Sequence, residues 1–69
     1  MQRQSIETEK FRSIGYDSEN LILEIEFHDG SVYQYRTVPE GIHCSLMETP
    51  YKEIYFLQNI KNHYFSEKL

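Results

Sequence analysis

The chain has 69 residues, 11 acidic and 7 basic (Lys or Arg), which gives a formal net charge of −4. That length supports a single domain, residues 1–69, with no room for a second core or a deep enclosed cleft. The acidic balance disfavours a protein that grips phosphates over a broad surface. The single cysteine, Cys44, excludes an internal disulfide and is typical of a cytoplasmic protein. No signal segment or membrane span is expected.

The first predicted strand lies within residues 10–17, where apolar side chains such as Phe11 and Tyr16 recur at intervals that fit an extended chain. Gly15 inside this strand indicates a bulge or the close approach of another backbone. The next residues, 17–20, have side chains that bond to their own backbone, so they predict a turn. The first strand should therefore be an antiparallel neighbour of the second.

A hairpin is predicted from Leu21 to Val38, because residues 21–27 alternate apolar and polar and Asp29-Gly30 follows them. Loop length decides which face Tyr33 and Tyr35 occupy. A two-residue loop would place both tyrosines on the polar face, exposed for stacking on bases. A three-residue loop, His28-Asp29-Gly30 with Gly30 at positive φ, would place them beside the apolar residues from Leu21 to Phe27. We favour the three-residue loop because it collects the large apolar groups on one surface.

Two helices are predicted after the hairpin. Val38-Pro39 ends the strand because proline has no N–H, and Pro39 suits the first position of a short helix over Glu40–Glu48. Thr49-Pro50 then offers a capping hydroxyl and a proline at the start of a second helix, over about 50–64. The stripe expected to pack on the sheet consists of Phe56, Leu57, Ile60 and Tyr64.

These elements predict an α+β fold in which a three-stranded antiparallel meander precedes two helices packed on one face. The core of the domain should span about residues 8–64. Residues 1–7 are polar apart from Ile6, and we expect them and residues 66–69 to be frayed. The apolar residues of the hairpin and of the two helices would then supply most of the buried surface.

Several short segments occur in an order and spacing that resemble a known family. They are Ile14-Gly15-Tyr16-Asp17, Leu23-Glu24-Ile25-Glu26-Phe27, Asp29-Gly30, Tyr33-Gln34-Tyr35, Val38-Pro39, and Tyr55-Phe56 with Ile60. Over roughly residues 8–64 the chain resembles the KTSC domain, which is named for an extension of some lysyl-tRNA synthetases and also occurs as small free-standing bacterial proteins. The resemblance implies a suggested role in RNA binding and no known enzymatic activity. Two positions depart from the family pattern: Tyr51-Lys52-Glu53 replaces a small Ser-x-Gly segment, and Leu57 stands where Asn is usual.

Two aromatic clusters are candidate binding sites. Tyr33 and Tyr35 could stack on single-stranded bases while Arg36 contacts phosphate, although a half-buried core position is the favoured interpretation of both tyrosines. The second cluster combines Tyr51 and Tyr55, one turn apart on the second helix, with a basic neighbour. Together with Arg36 it is the contact surface we would expect for a partner: Arg36, Tyr51, Lys52 and Tyr55.

Metal binding and catalysis are not expected. The three histidines and Cys44 lack the spacing of a zinc site, and His43 and Cys44 are adjacent on a helix, so their side chains point about 100° apart. Cys44 has no base positioned to activate it and should be buried or half-buried. Glu24 and Glu26 share an open strand face, which gives no desolvation to separate their pKa values. We therefore predict a protein that is not an enzyme and needs no cofactor.

Two functional classes follow. The favoured one is a small interaction module that binds a protein partner, as an adaptor or inhibitor of a nucleic-acid-handling protein, because an acidic chain suits a basic partner surface. The alternative is a weak RNA-binding domain, with RNA or tRNA held by local aromatic and basic residues. Because few phosphates would be neutralised, such binding should depend only shallowly on salt.

Overall fold

The computed structural model describes all residues, 1–69, as a five-stranded antiparallel sheet and two helices. The strands lie in the order β1-β2-β3-β4-β5, and neither helix is long and apolar enough to span a membrane. In chain order the elements are β1 (Arg3–Ser5), β2 (Phe11–Asp17), β3 (Ile22–Phe27), β4 (Val32–Arg36), α1 (Glu40–Glu48), α2 (Lys52–Asn59) and β5 (Ser66–Lys68).

The α+β class is confirmed, but the prediction of three strands is wrong because both chain ends, expected to be frayed, pair with the sheet. β1 adds to β2 and makes a four-stranded meander with β3 and β4. After the helices, β5 returns to pair with β4, where the Arg36 N–H donates to the Phe65 carbonyl at 2.8 Å. Both added strands are short, polar and at the sheet edges, so they lack the apolar alternation that identifies a buried strand.

The hairpin prediction is confirmed. The Phe27 N–H donates to the Ser31 carbonyl at 2.9 Å, which closes a three-residue loop, and Gly30 has φ 91°. Tyr33 therefore pairs with Ile25, and Tyr35 pairs with Leu23. Because paired residues in an antiparallel sheet lie on the same face, both tyrosines join the apolar side of the sheet.

Leu21 departs from this prediction. Its side chain is 37% exposed, and its backbone has φ 55°, so it belongs to the turn before β3. That turn is built as expected for residues 17–20: the Asp17 carboxylate accepts hydrogen bonds from the backbone N–H groups of Glu19 and Asn20. The left-handed turn rotates Leu21 out of the strand before the alternation begins.

Gly15 is a point of close backbone approach. A Cβ at this position would lie 2.7 Å from Arg3 Cγ and 2.8 Å from the Gln2 carbonyl oxygen, so the packing of β1 requires glycine here. The bulge in β2 lies elsewhere, at Arg12, where the register with β3 shifts between Phe11 and Ser13.

α1 spans Glu40–Glu48 as predicted, with Pro39 at the N-cap rather than at the first helical position. α2 is shorter than predicted and begins at Lys52, after Tyr51. The Thr49 hydroxyl accepts a hydrogen bond from the Tyr51 N–H at 3.1 Å. The helix ends at Asn59 because the chain then turns through a left-handed Asn62. Asparagine tolerates that conformation better than most residues do.

The core lies between the helices and one face of the sheet. Within the predicted α2 stripe, Phe56 and Ile60 are buried and Tyr64 is half-buried, but Leu57 is 50% exposed. The opposite face of the sheet has no helix over it and is called the open face below. The buried apolar residues are Phe11, Ile14, Leu23, Ile25, Tyr35, Val38, Leu46, Phe56 and Ile60.

Candidate functional site

The largest concavity is a groove of about 360 Å³ between α2 and the helix-covered face of the sheet. The hairpin supplies one wall, and α2 with the turn after it supplies the other. Five aromatic rings line it together with Leu57: those of Phe11, Phe27, Tyr33, Tyr35 and Phe56. Its polar lining is Lys10, Asp29, Ser31, Glu53, Lys61, Asn62 and Ser66.

The aromatic rings of the groove are packed against one another. Tyr33 and Tyr35 stack at a centroid separation of 6.4 Å, and Phe56 meets Tyr35 edge-on at 5.5 Å. Phe27 meets Tyr33 edge-on at 5.8 Å. Tyr35 is 5% exposed, and burial, with a smaller contribution from Tyr33, raises its pKa to about 12. These contacts make a rigid apolar wall in which Tyr35 offers no open ring face to a base.

Two acidic residues that line the groove are already hydrogen-bonded within the protein. Asp29 accepts from the Ser31 hydroxyl at 2.6 Å and from the Ser31 N–H at 2.9 Å, which lowers the pKa of Asp29. The Thr8 hydroxyl lowers the pKa of Glu53, whose carboxylate also accepts from the Lys10 backbone N–H at 3.2 Å. Both carboxylates are therefore ionised at neutral pH. Asp29 stabilises the hairpin loop, and Glu53 stabilises the loop before β2.

The structure does not bring the sequence-predicted contact surface together. Arg36 lies on the open face, where its guanidinium is 3.0 Å from Glu67. Lys52 Nζ donates to the carbonyls of Met47 at 3.0 Å and Thr49 at 2.7 Å, which ties down the end of α1. Of the six predicted binding residues, only Tyr33 and Tyr35 line the groove.

The other two predicted residues lie outside the groove, Tyr51 just before α2 and Tyr55 within it. Tyr51 is 68% exposed, and Tyr55 is half-buried against the core. The groove residues that sequence analysis missed include Lys10, Leu57 and Lys61. Leu57 was assigned to the buried stripe, and the two lysines are 51 positions apart in the sequence, so only the fold brings them to one groove.

A second cluster lies between α1 and β2. The His43 ring stacks on Tyr16 at a centroid separation of 4.7 Å and an interplanar angle of 8°, and the Tyr16 hydroxyl donates to the Val38 carbonyl. Burial lowers the pKa of His43 against an opposing effect of Glu40, so the imidazole is neutral at pH 7. Cys44 is exposed, contrary to the prediction of a buried or half-buried thiol, because α1 turns it away from the core. No group of three His, Cys, Asp or Glu side chains is placed to hold a metal ion.

The open face carries a connected set of charged and polar side chains. Arg3 crosses Gly15 and reaches Glu24 at 3.2 Å, and Gln34 Nε2 donates to Glu24 at 2.9 Å. Glu26 accepts from the Ser13 hydroxyl at 2.9 Å. Each of these two carboxylates therefore has partners within the protein, which fits a structural role for the pair and no acid–base role.

Comparison with known proteins agrees with this architecture. The model of the KTSC domain matches residues 7–64. An uncharacterized protein from Stutzerimonas stutzeri (strain A1501) is 35% identical over 65 residues, which cover 94% of this chain and 92% of that protein. The crystal structure of a KTSC domain protein from Yersinia pestis superposes with a TM-score of 0.93 at 39% sequence identity, over 99% of this chain and 96% of the other.

Proposed function

The chain belongs to the KTSC domain family, and from that premise we propose that it is a small, non-catalytic interaction module that binds a segment of a protein partner in the groove. The observation that carries the proposal is the groove itself: a preformed wall of five aromatic rings beside Leu57, an apolar side chain that is 50% exposed. Apolar, preformed concavities are where protein surfaces bind side chains of a partner.

The shape of the groove supports a partner side chain better than a reacting substrate. Its two carboxylates are committed to internal hydrogen bonds: Asp29 accepts from Ser31, and Glu53 accepts from the Lys10 backbone N–H. A module of this kind would act as an adaptor or as an inhibitor. The net charge of −4 suits a partner with a basic surface, such as a nucleic-acid-handling protein.

Weak RNA binding is the alternative, and one observation favours it: Lys10 and Lys61 line the same groove as Tyr33. RNA or tRNA would then be held by a few aromatic and cationic contacts. The net charge repels a polyanion, so such binding should weaken only modestly between about 50 and about 200 mM salt. A broad phosphate contact set would instead lose orders of magnitude over that range.

The proposal is tested by affinity capture with two matched variants of α2. Leu57→Ser removes the exposed side chain that lines the groove, whereas Ile54→Ser removes one that is 55% exposed on the same helix and lies outside the groove. We expect the Ile54→Ser protein to recover the same partner as wild type and the Leu57→Ser protein to lose it. Circular dichroism and unfolding curves should show that both variants are folded.

Nuclease treatment separates the two candidate functions in the same experiment. If a protein is recovered equally from treated and untreated lysate, and only Leu57→Ser loses it, the protein-binding proposal stands. If recovery depends on RNA, or if purified RNA binds tightly with a steep salt dependence, the RNA-binding alternative replaces it. Equal recovery by both variants would show that the groove is not the contact site.

A further inference from the structure

The groove is less acidic than the chain as a whole, because its two lining carboxylates, Asp29 and Glu53, are matched by two lysines. Lys10 and Lys61 line it, and Lys68 is close enough for its charge to lower the pKa of Asp29 in the lining. Lys68 also lies opposite Tyr33 in the pairing of β4 with β5. Three of the seven basic side chains of an acidic chain thus surround one apolar wall.

These lysines, like Arg12 outside the groove, form no ion pair and no side-chain hydrogen bond within the protein. None of the three ammonium groups makes a side-chain hydrogen bond or lies within 4.0 Å of a carboxylate. By contrast, Arg3 and Arg36 are paired with glutamates, and the ammonium of Lys52 is held by two backbone carbonyls. The lining acids accept hydrogen bonds from Ser31 and from the Lys10 backbone N–H, whereas the ammonium groups of the lysines donate none within the protein.

We propose that the groove recognises an acidic segment of the protein partner, in which an apolar side chain packs against Tyr33 and Leu57 and a neighbouring carboxylate binds Lys10 and Lys61. This inference rests on the proposed function and specifies only the segment that enters the groove; the basic surface that the net charge suits would lie elsewhere on the partner. Charge complementarity carries it: a carboxylate would satisfy cations that have no acceptor within the protein. The exposed Leu57 supplies the apolar half of the contact.

A protein segment fits these observations better than a nucleic acid does. Phe27 and Phe56 meet the tyrosines edge to face, Tyr33 and Tyr35 stack on each other, and Tyr35 is nearly fully buried, so the groove offers no series of open ring faces on which successive bases could stack. Asp29 and Glu53 in the same lining would repel a continuous phosphate backbone. One or two carboxylates beside an apolar anchor can meet the lysines while avoiding both acids.

The test uses three labelled peptides that share a central Phe and differ only in its flanks, which are Glu, Gln or Lys. We expect wild-type protein to bind the Glu-flanked peptide roughly fivefold to tenfold more tightly than the Gln-flanked one, and the Lys-flanked one least. Lys61→Gln and Lys10→Gln should each remove most of that preference. Arg12→Gln, an equal change in net charge at an exposed residue outside the groove, should leave it intact.

A charge reversal gives the sharpest result. Lys61→Glu should invert the preference, so that the Lys-flanked peptide binds more tightly than the Glu-flanked one. Equal binding of all three peptides would overturn the acidic preference while leaving a protein-binding groove in place, and no binding of the Glu-flanked peptide would overturn the inference outright. Tighter binding of a single-stranded RNA oligonucleotide than of any peptide would overturn both the inference and the proposed function.

Discussion

The two faces of the sheet treat their charged residues in different ways. On the open face, Arg3 meets Glu24 and Arg36 meets Glu67, so each arginine has an acidic partner within the protein. On the helix-covered face, the groove is walled by aromatic rings and lined by lysines without acceptors. Ion pairs on a protein surface contribute little to the free energy of unfolding, whereas unpaired charges beside an apolar wall can bind a ligand. The contrast fits a structural role for the open face and supports the recognition role proposed for the other.

The largest difference in stability between the two faces should appear when two neighbouring residues of β4, one on each face, are substituted. Tyr35→Ala removes a buried ring that contacts Phe56, and we expect the free energy of unfolding to fall by roughly 3 to 5 kcal/mol, as for other large buried side chains. Arg36→Ala, one residue later on the open face, should cost less than about 1 kcal/mol because it breaks a surface ion pair. Urea denaturation of both variants measures the difference. Equal stability of Tyr35→Ala and wild type would show that this wall is not part of the core.

Substitutions at glycine test whether the pairing of β1 with β2 requires the close approach of Arg3 to Gly15 on the open face. Gly15→Ala places a methyl group against Arg3 and the Gln2 carbonyl, so β1 must shift, at a cost of about 1 to 3 kcal/mol. The control is Gly41→Ala in α1, where no atom lies within 4 Å of the new Cβ and alanine favours the helix by about 0.5 to 1 kcal/mol. Amide exchange of residues 3–6 should accelerate in Gly15→Ala alone. Unchanged protection there would contradict the proposed packing.

More of the helix-covered face than of the open face could be predicted from the sequence. Alternation in β3 and the Asp29-Gly30 signal fix the hairpin register, and with it the burial of Tyr35, because those signals are local. β1 and β5 carry no apolar alternation, since edge strands bury little, and only Gly15 hinted at the presence of β1. The groove combines Lys10 with Lys61, residues that meet only when the fold is complete. The same limit explains why Arg36 was grouped with Tyr51 and Lys52, which lie on a different layer.

The ion pairs of the open face should contribute less to the free energy of unfolding than the packing contacts tested above. A double-mutant cycle of Arg3→Met and Glu24→Gln should give a coupling energy of about 0.2 to 1 kcal/mol that decreases with added salt. The same cycle at Arg36 and Glu67, whose side chains are more exposed, should give less. A coupling that survives high salt unchanged would mean that Arg3 stabilises β1 mainly through the packing of its aliphatic stem over Gly15.

The smallest effect on stability should come from His43, because burial on the helix-covered side opposes the protonation of its ring. Burial lowers the pKa of His43 below 6.5, so the unfolded chain binds a proton more readily than the folded protein does. The contribution to stability is therefore complete above about pH 6.5 and is lost as the pH falls through the folded-state pKa. His43→Phe keeps a ring stacked on Tyr16 but cannot be protonated. We expect the stability of wild type to decline more steeply than that of the variant between about pH 7.5 and about pH 5, above the range in which carboxylates titrate. His28 and His63 are present in both proteins and cancel, so parallel stability profiles would show that the stacked imidazole accepts its proton as freely as an exposed one.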